Sequence, residues 1–160
     1  MKKSSTPNNG FLRRSPNPIE PLSEYTPERR TRFQMSKQNN NKGINWLNDI
    51  EEHDYPAAES YLLLVYSAPE VTKIIARLRS TEIVQFKAKD IFRASQLSFL
   101  GISNSHVEKD REKIKSGTPL SPLLLLRDEK NGKVVIADGY HRLCAIYGFD
   151  EDASIRCKIV

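Results

Sequence analysis

Apolar residues set in late along this chain: from Ile44 onward they recur with helical and strand spacings, whereas residues 1–42 hold few of them. Asn45-Trp46-Leu47-Asn48-Asp49-Ile50 is a short amphipathic piece in which Trp46 is expected to be packed. Residues 57–66 (AAESYLLLVY) predict a helix, with Pro56 suited to its first turn, where a missing N–H breaks no helical bond. After Pro69-Glu70, Val71, Ile74, Ile75 and Leu78 recur at the i, i+3, i+4, i+7 spacing of one helical face. Residues 81–86 (TEIVQF) are β-prone. Asp90 can then cap a helix running through Ile91, Phe92, Ala94, Leu97 and Phe99, with Gly101 as its end.

Ser105-x-x-Glu108 is a capping box ahead of a polar helix (HVEKDREKIKSG), with Gly117 as its stop and Val107 and Ile114 as its buried side. Residues 120–127 form an apolar run of strand length, and Asn131-Gly132 is a hairpin signal joining it to Lys133-Val134-Val135-Ile136. A helix pattern follows Asp138-Gly139, residues 149–152 read as a polar loop, and residues 155–160 alternate as a half-buried last strand. Helices followed by β-α-α-β-β-α-β predict an α+β fold, a small mixed β-sheet with packed helices. One domain is expected over 43–160, with a helical lead-in over 44–80 and a core over 81–160.

Charge sharpens this division. Residues 1–42 carry nine basic and three acidic residues, and five of the nine prolines precede residue 28. The remainder has sixteen basic and seventeen acidic residues, so the formal charge of +5 belongs to the tail and the predicted domain is near neutral. A polar, Pro- and Asn-rich segment of this kind cannot offset its ordering entropy and is expected to be disordered. Two roles are open to it: weak contact with nucleic acid or another acidic surface, or solubilisation alone. The start lacks the apolar run of a signal peptide and no segment approaches a membrane span, so a cytoplasmic protein without a membrane partner is expected. Cys144 and Cys157 have no CxxC spacing or adjoining His/Cys cluster and read as reduced and buried. A nucleophilic role for Cys144, three residues after His141, is the minor alternative.

Candidate chemistry concentrates in Asp138-Gly139-Tyr140-His141-Arg142, where a strand empties polar groups onto a helix N-terminus. Gly139 permits a left-handed turn or a close backbone approach. Arg142 offers a fork of donors for phosphate oxygens, and His141 an acid, base or donor near neutral pH. Asp138 is a candidate ligand for magnesium or a base toward a hydroxyl nucleophile. The competing reading is structural: Asp138 as helix cap, His141 bonded to a carbonyl, Arg142 paired with a loop acid. Lys89 and Arg93, four residues apart at another predicted helix start, form a second candidate phosphate wall or else a solvated charged face. The hydroxyl and amide of Asn104-Ser105 are expected to be used in capping, and His53-Asp54 reads as a surface or turn pair.

Gly117-x-x-Leu-Ser-Pro-Leu, a short hairpin, Ile136-Ala-Asp-Gly-Tyr-His-Arg, an Ala-containing helix and a closing strand together resemble the ParB/sulfiredoxin superfamily over residues 85–160, about half the chain. The segments HDYPAAESYL, FKAKDIFRAS, LSPLLLLRD and IADGYHRLCAIY also resemble a group of bacterial proteins of unassigned function. The resemblance implies a nucleotide-binding cleft, for ATP or CTP, in which the turn from Gly139 to Arg142 contacts the phosphates. Sulfiredoxins carry their reactive cysteine where this chain has Tyr140, so sulfinic-acid repair is not expected. Partition proteins have further arginines in this turn and a helix-turn-helix domain downstream, so specific DNA clamping is not expected either. The free-serine kinase of the superfamily has a similar turn with its histidine displaced by one position. The resemblance therefore implies nucleotide binding by Gly139, Tyr140, His141, Arg142, Lys89 and Arg93, with magnesium-dependent phosphotransfer or hydrolysis through Asp138 and His141. The alternative is a non-enzymatic module that binds nucleic acid or protein through the tail. A nuclease is a further alternative and would need carboxylates beyond this turn, with Asp90 the candidate to join Asp138.

Overall fold

Residues 43–101 and 103–160 are described by a computed structural model and lie within one compact unit, Asn41–Val160. The basic tail expected over 1–42 lies outside them. In chain order the elements are α1 (Asp54–Leu62), α2 (Ala68–Ser80), β1 (Val84–Lys87), α3 (Ala88–Ser95), α4 (Ser105–Ser116), β2 (Leu123–Asp128), β3 (Lys133–Asp138), α5 (Tyr140–Tyr147) and β4 (Ser154–Ile159). The α+β class and the order of elements expected over 81–160 are those observed.

The four strands form one mixed sheet in the order β1-β4-β2-β3. β1 and β4 are antiparallel, β2 and β4 parallel, and β2 and β3 form the hairpin closed by Asn131-Gly132, with Gly132 at φ +62°. Helices cover both faces. On one, α1 and α2 pack Ala58, Leu62, Val71, Ile74 and Leu78 against Leu124, Leu126, Val135 and Val160. On the other, α3 and α5 pack Ile91, Leu143 and Ile146 against Leu123, Leu125, Ile136, Ile155 and Ile159, and Val107 of α4 joins Cys144 and Ala145 behind them. The 44–80 lead-in is thus the cover of one sheet face, because alternate leucines of β2 point to opposite sides and each side needs an apolar partner.

Several boundaries differ from the expected ones for local physical reasons. α1 starts three residues early, at Asp54, which leaves Pro56 within its first turn. α3 begins at Ala88 rather than after an Asp90 cap, because Ala88 N–H and Lys89 N–H donate to the carbonyls of Ala153 and Glu151. It ends at Gln96, which adopts φ +58°, so Leu97 and Phe99 lie in a loop instead of continuing an apolar face to Gly101. The cap of α4 is Asn104, whose side chain accepts from His106 N–H (3.0 Å) and Val107 N–H (3.3 Å), one residue ahead of the expected capping box. Gly117 closes that helix at φ +74° as anticipated. β4 is nearly fully buried rather than half-buried, since it lies between β1 and β2 with helices on both sides.

Lys158 shows how the buried last strand accommodates a charge. Its ammonium donates to Asp49 (2.9 Å), the Tyr55 hydroxyl (3.2 Å) and the Arg79 carbonyl (3.3 Å). Burial alone would lower its pKa, but the bonds to Asp49 and Tyr55 outweigh that and hold it above its ordinary value.

Candidate functional site

β3 is an edge strand, and at its C-terminal end the layers from the two sheet faces meet around a cavity of about 810 Å³. Asp138 is aimed there by an irregularity in the sheet. Leu125 pairs with Ile136 and Leu124 with Asp138, which leaves Ala137 as an extra residue. Directly paired residues share a sheet face, so this bulge turns Asp138 to the side of Leu124, the side covered by α1. Gly139 then takes φ +96° as the N-cap of α5, and a Cβ there would stand 2.7 Å from Leu123 Cγ. Both the left-handed backbone and the contact with Leu123 make a side chain at that position costly.

Arg142, one turn into α5, reaches back to two carboxylates. Its Nη2 donates to Asp138 and, at 3.1 Å, to Asp54 Oδ2. Ser121 Oγ donates to the same Asp54 oxygen at 2.6 Å and accepts from Glu51 N–H at 3.0 Å. Asp54 is 3% exposed, so the ion pair is largely withdrawn from water. Asp138 is pushed above the ordinary carboxylate range, mainly by burial; the negative charge of Asp54 adds to this and the Arg142 guanidinium opposes it.

The remaining wall is formed by histidines. His53, His106 and His141 all line the cavity, and they are all the histidines in the chain. Each stands at a helix start: His53 is the N-cap of α1, His106 is in the first turn of α4, and His141 is the second residue of α5. The His106 and His141 rings lie 5.1 Å apart at 31°, and the Tyr140 ring is 5.9 Å from His141. No side chain caps α1 or α5. Three positive helix ends thus converge on one concavity, an arrangement that favours an anion.

Of the residues expected to act together, Asp138, Gly139, Tyr140, His141 and Arg142 share this cavity, whereas Lys89 and Arg93 are not among its lining residues. Lys89 pairs with Asp152 at 2.7 Å and Arg93 with Asp90 at 2.7 Å, both as surface pairs. Lys89 and Asp152 hold each other charged, the lysine above and the acid below its ordinary range. Asp90 does not converge with Asp138; the carboxylate that does is Asp54, read from sequence as a turn residue. Asp110 of α4 also lines the cavity. Tyr140 donates its hydroxyl to the Ser98 carbonyl, which ties the loop after α3 to the turn. Cys144 and Cys157 are buried, and burial pushes both thiols up, Cys157 to about 12, which leaves no reactive thiolate at neutral pH.

The sequence reading gives no site role to His53 and Asp54, a surface or turn pair there, or to His106, beside the expected helix cap; all three are distant from the turn along the chain. The signal that could have flagged them was residue type: the only other histidines stand, like His141, beside helix-start patterns. No protein family, curated protein or solved structure matches this chain in comparison searches. Among the described residues no helix is long and apolar enough to cross a membrane.

Proposed function

We propose that the chain is a nucleotide-binding domain of the ParB/sulfiredoxin-like type, with the nucleotide's phosphates held at the start of α5. The observation that carries this reading is the convergence of three histidine-bearing helix N-termini on one cavity. Its volume lies in the range of small-ligand sites. The uncapped first turn of α5 offers backbone N–H groups to phosphate oxygens, and His141 and His106 supply further donors near neutral pH. Arg142 has a different part from the one its sequence position suggests. Pinned between Asp54 and Asp138, it holds the turn in shape and places positive charge behind it.

Phosphotransfer or hydrolysis on the bound nucleotide is the catalytic extension of this reading. Asp138, held above the usual carboxylate range at the cavity wall, suits a proton acceptor for an attacking hydroxyl or water. Its Oδ2 is already committed to Arg142, so the ligand set here does not suit magnesium bound by Asp138 alone. Magnesium carried on the phosphates would neutralise part of their charge.

Titration calorimetry of the full chain with ATP, ADP and CTP, each with magnesium, tests the reading. Binding of at least one nucleotide at millimolar concentration or below is expected, weakened about tenfold in His141→Ala by loss of one charge-assisted hydrogen bond. A flat titration with all three nucleotides rules the reading out. A salt-dependent DNA shift that disappears on deleting residues 1–42, without any nucleotide response, would favour the tail-binding module instead.

A further inference from the structure

We infer that the cavity contains a nucleobase subsite, with Tyr61 as the aromatic surface on which the base stacks and Leu97 as a second apolar wall. This deepens the nucleotide reading and rests on it. The lining residues divide by chemistry along α1. His53, Asp54, Ala57 and Tyr61 recur at i, i+1, i+4 and i+8, so one flank of the helix faces the cavity from its N-cap to its last turn. The polar end of that flank, at Asp54, meets Arg142, which also holds Asp138. Tyr61 lies two turns further on, about 10 Å along the helix axis.

Tyr61 is 40% exposed and Leu97 42%, so both present apolar surface to water while lining a concavity. The fold does not use the Tyr61 ring as core, since the buried stripe of α1 runs through Tyr55, Ala58 and Leu62. Phe92, Phe99 and Tyr147 pack on one another, but Tyr61 has no aromatic neighbour, and its hydroxyl no hydrogen-bond partner, among the described residues. Ala57, one turn before it, is exposed and small, which leaves the flank between the polar end and the ring clear of a bulky side chain. Leu97 comes from the layer on the other sheet face. It follows the left-handed Gln96 that ends α3, and the carbonyl of the adjoining Ser98 accepts from the Tyr140 hydroxyl of α5.

A ligand whose phosphates rest at the start of α5 therefore extends along α1 toward an aromatic ring that nothing else covers. Every nucleobase has a flat π-face, and stacking on an aromatic side chain adds affinity without any hydrogen-bond readout. A sugar phosphate or an inorganic polyphosphate has nothing to place against Tyr61. The subsite thus selects nucleotides among phosphate-bearing ligands, and it does so through the ring of Tyr61 rather than its hydroxyl.

Titration calorimetry of the full chain with ATP and with inorganic triphosphate, each with magnesium, separates the base subsite from the phosphate corner. ATP should bind about tenfold more tightly than triphosphate. Tyr61→Ala should weaken ATP about tenfold, the loss of one stacked base, and leave triphosphate unchanged. Tyr61→Phe should keep the ATP affinity. Ala57→Leu, which fills the flank between the two ends, should weaken ATP and spare triphosphate. Both positions are exposed on α1 and both substitutions introduce strong helix formers, so the variants fold; circular dichroism verifies this. ATP binding no tighter than triphosphate, an unchanged ATP affinity in folded Tyr61→Ala, or an equal loss of both ligands in that variant would each overturn the subsite while leaving the phosphate corner standing. Binding of neither ligand would overturn the nucleotide reading together with the subsite.

Discussion

The starts of α3 and α5 are chemically alike, since each places a basic residue and an acid within one helical turn, but the second lines the larger cavity at the end of β3, whereas Asp90 of the first borders only a smaller one of about 270 Å³. At α3, Lys89 and Arg93 meet Asp152 and Asp90 in contact with water, where such pairs contribute little. At α5, Arg142 meets two carboxylates from different elements, one of them almost fully buried. Desolvation raises the stakes of the second cluster: its charges depend on one another, and removing one strands the rest. A polar helix start becomes a site when other elements bring their own polar groups to it and exclude water.

Arg142→Ala is the strongest way to break this contrast. It leaves Asp54 and Asp138 facing each other without a counter-charge, and should destabilise the fold by about 3–5 kcal/mol in chemical denaturation. A loss below 1 kcal/mol would mean that the two clusters are energetically equivalent. For this reason Arg142→Ala is a poor probe of ligand binding, and His141→Ala is the cleaner one.

Gly139→Ala comes next. Left-handed strain combined with a Cβ 2.7 Å from Leu123 Cγ should cost about 2–4 kcal/mol. Gly132→Ala, also at positive φ but with nothing within 4 Å of the added carbon, should cost only the backbone strain, about 1–2 kcal/mol. Equal losses at the two positions would show that the contact with Leu123 is not part of what fixes the turn.

The smallest effects belong to α3. Lys89→Ala combined with Arg93→Ala should change stability by less than about 1 kcal/mol and leave nucleotide affinity unaltered. The pH responses of the two regions should have opposite signs. Asp152 is held low by its hydrogen bonds to Lys89 and Lys87, so its contribution is present above the unfolded pKa, about 3.9, and is lost as pH falls through the lower folded value. Asp138 binds its proton more tightly when folded, so its contribution weakens as pH rises from about 3.9 through its higher folded value. Carboxyl-carbon NMR titration should place the Asp138 midpoint above and the Asp152 midpoint below that reference; midpoints in the reverse order would refute the contrast.

Local chemistry was legible in the chain wherever short-range geometry decides it. The spacing of Val71, Ile74, Ile75 and Leu78 marks the buried face of α2, Asn131-Gly132 marks the hairpin, and Gly139 marks the turn into α5. The end of α3 was not legible, because Gln96 in a left-handed conformation has no residue-type signature. Nor was the burial of β4, whose alternating letters fit a half-exposed strand until its place between β1 and β2 is known. Half of the candidate site was likewise hidden: Asp54 and Arg142 are 88 residues apart, and Ser121 is 67 from Asp54.

By itself the sequence determined the α+β class, the order of elements from residue 81 onward and the polar turn from Asp138 to Arg142, because periodicity, turn residues and a required glycine act over a few neighbours. Only the tertiary structure decided which helix starts share a cavity, that Asp54 rather than Asp90 meets Asp138, and that Arg142 braces the turn. Those outcomes depend on strand order, on a one-residue bulge in β3 and on burial, which bring together groups that no local pattern links.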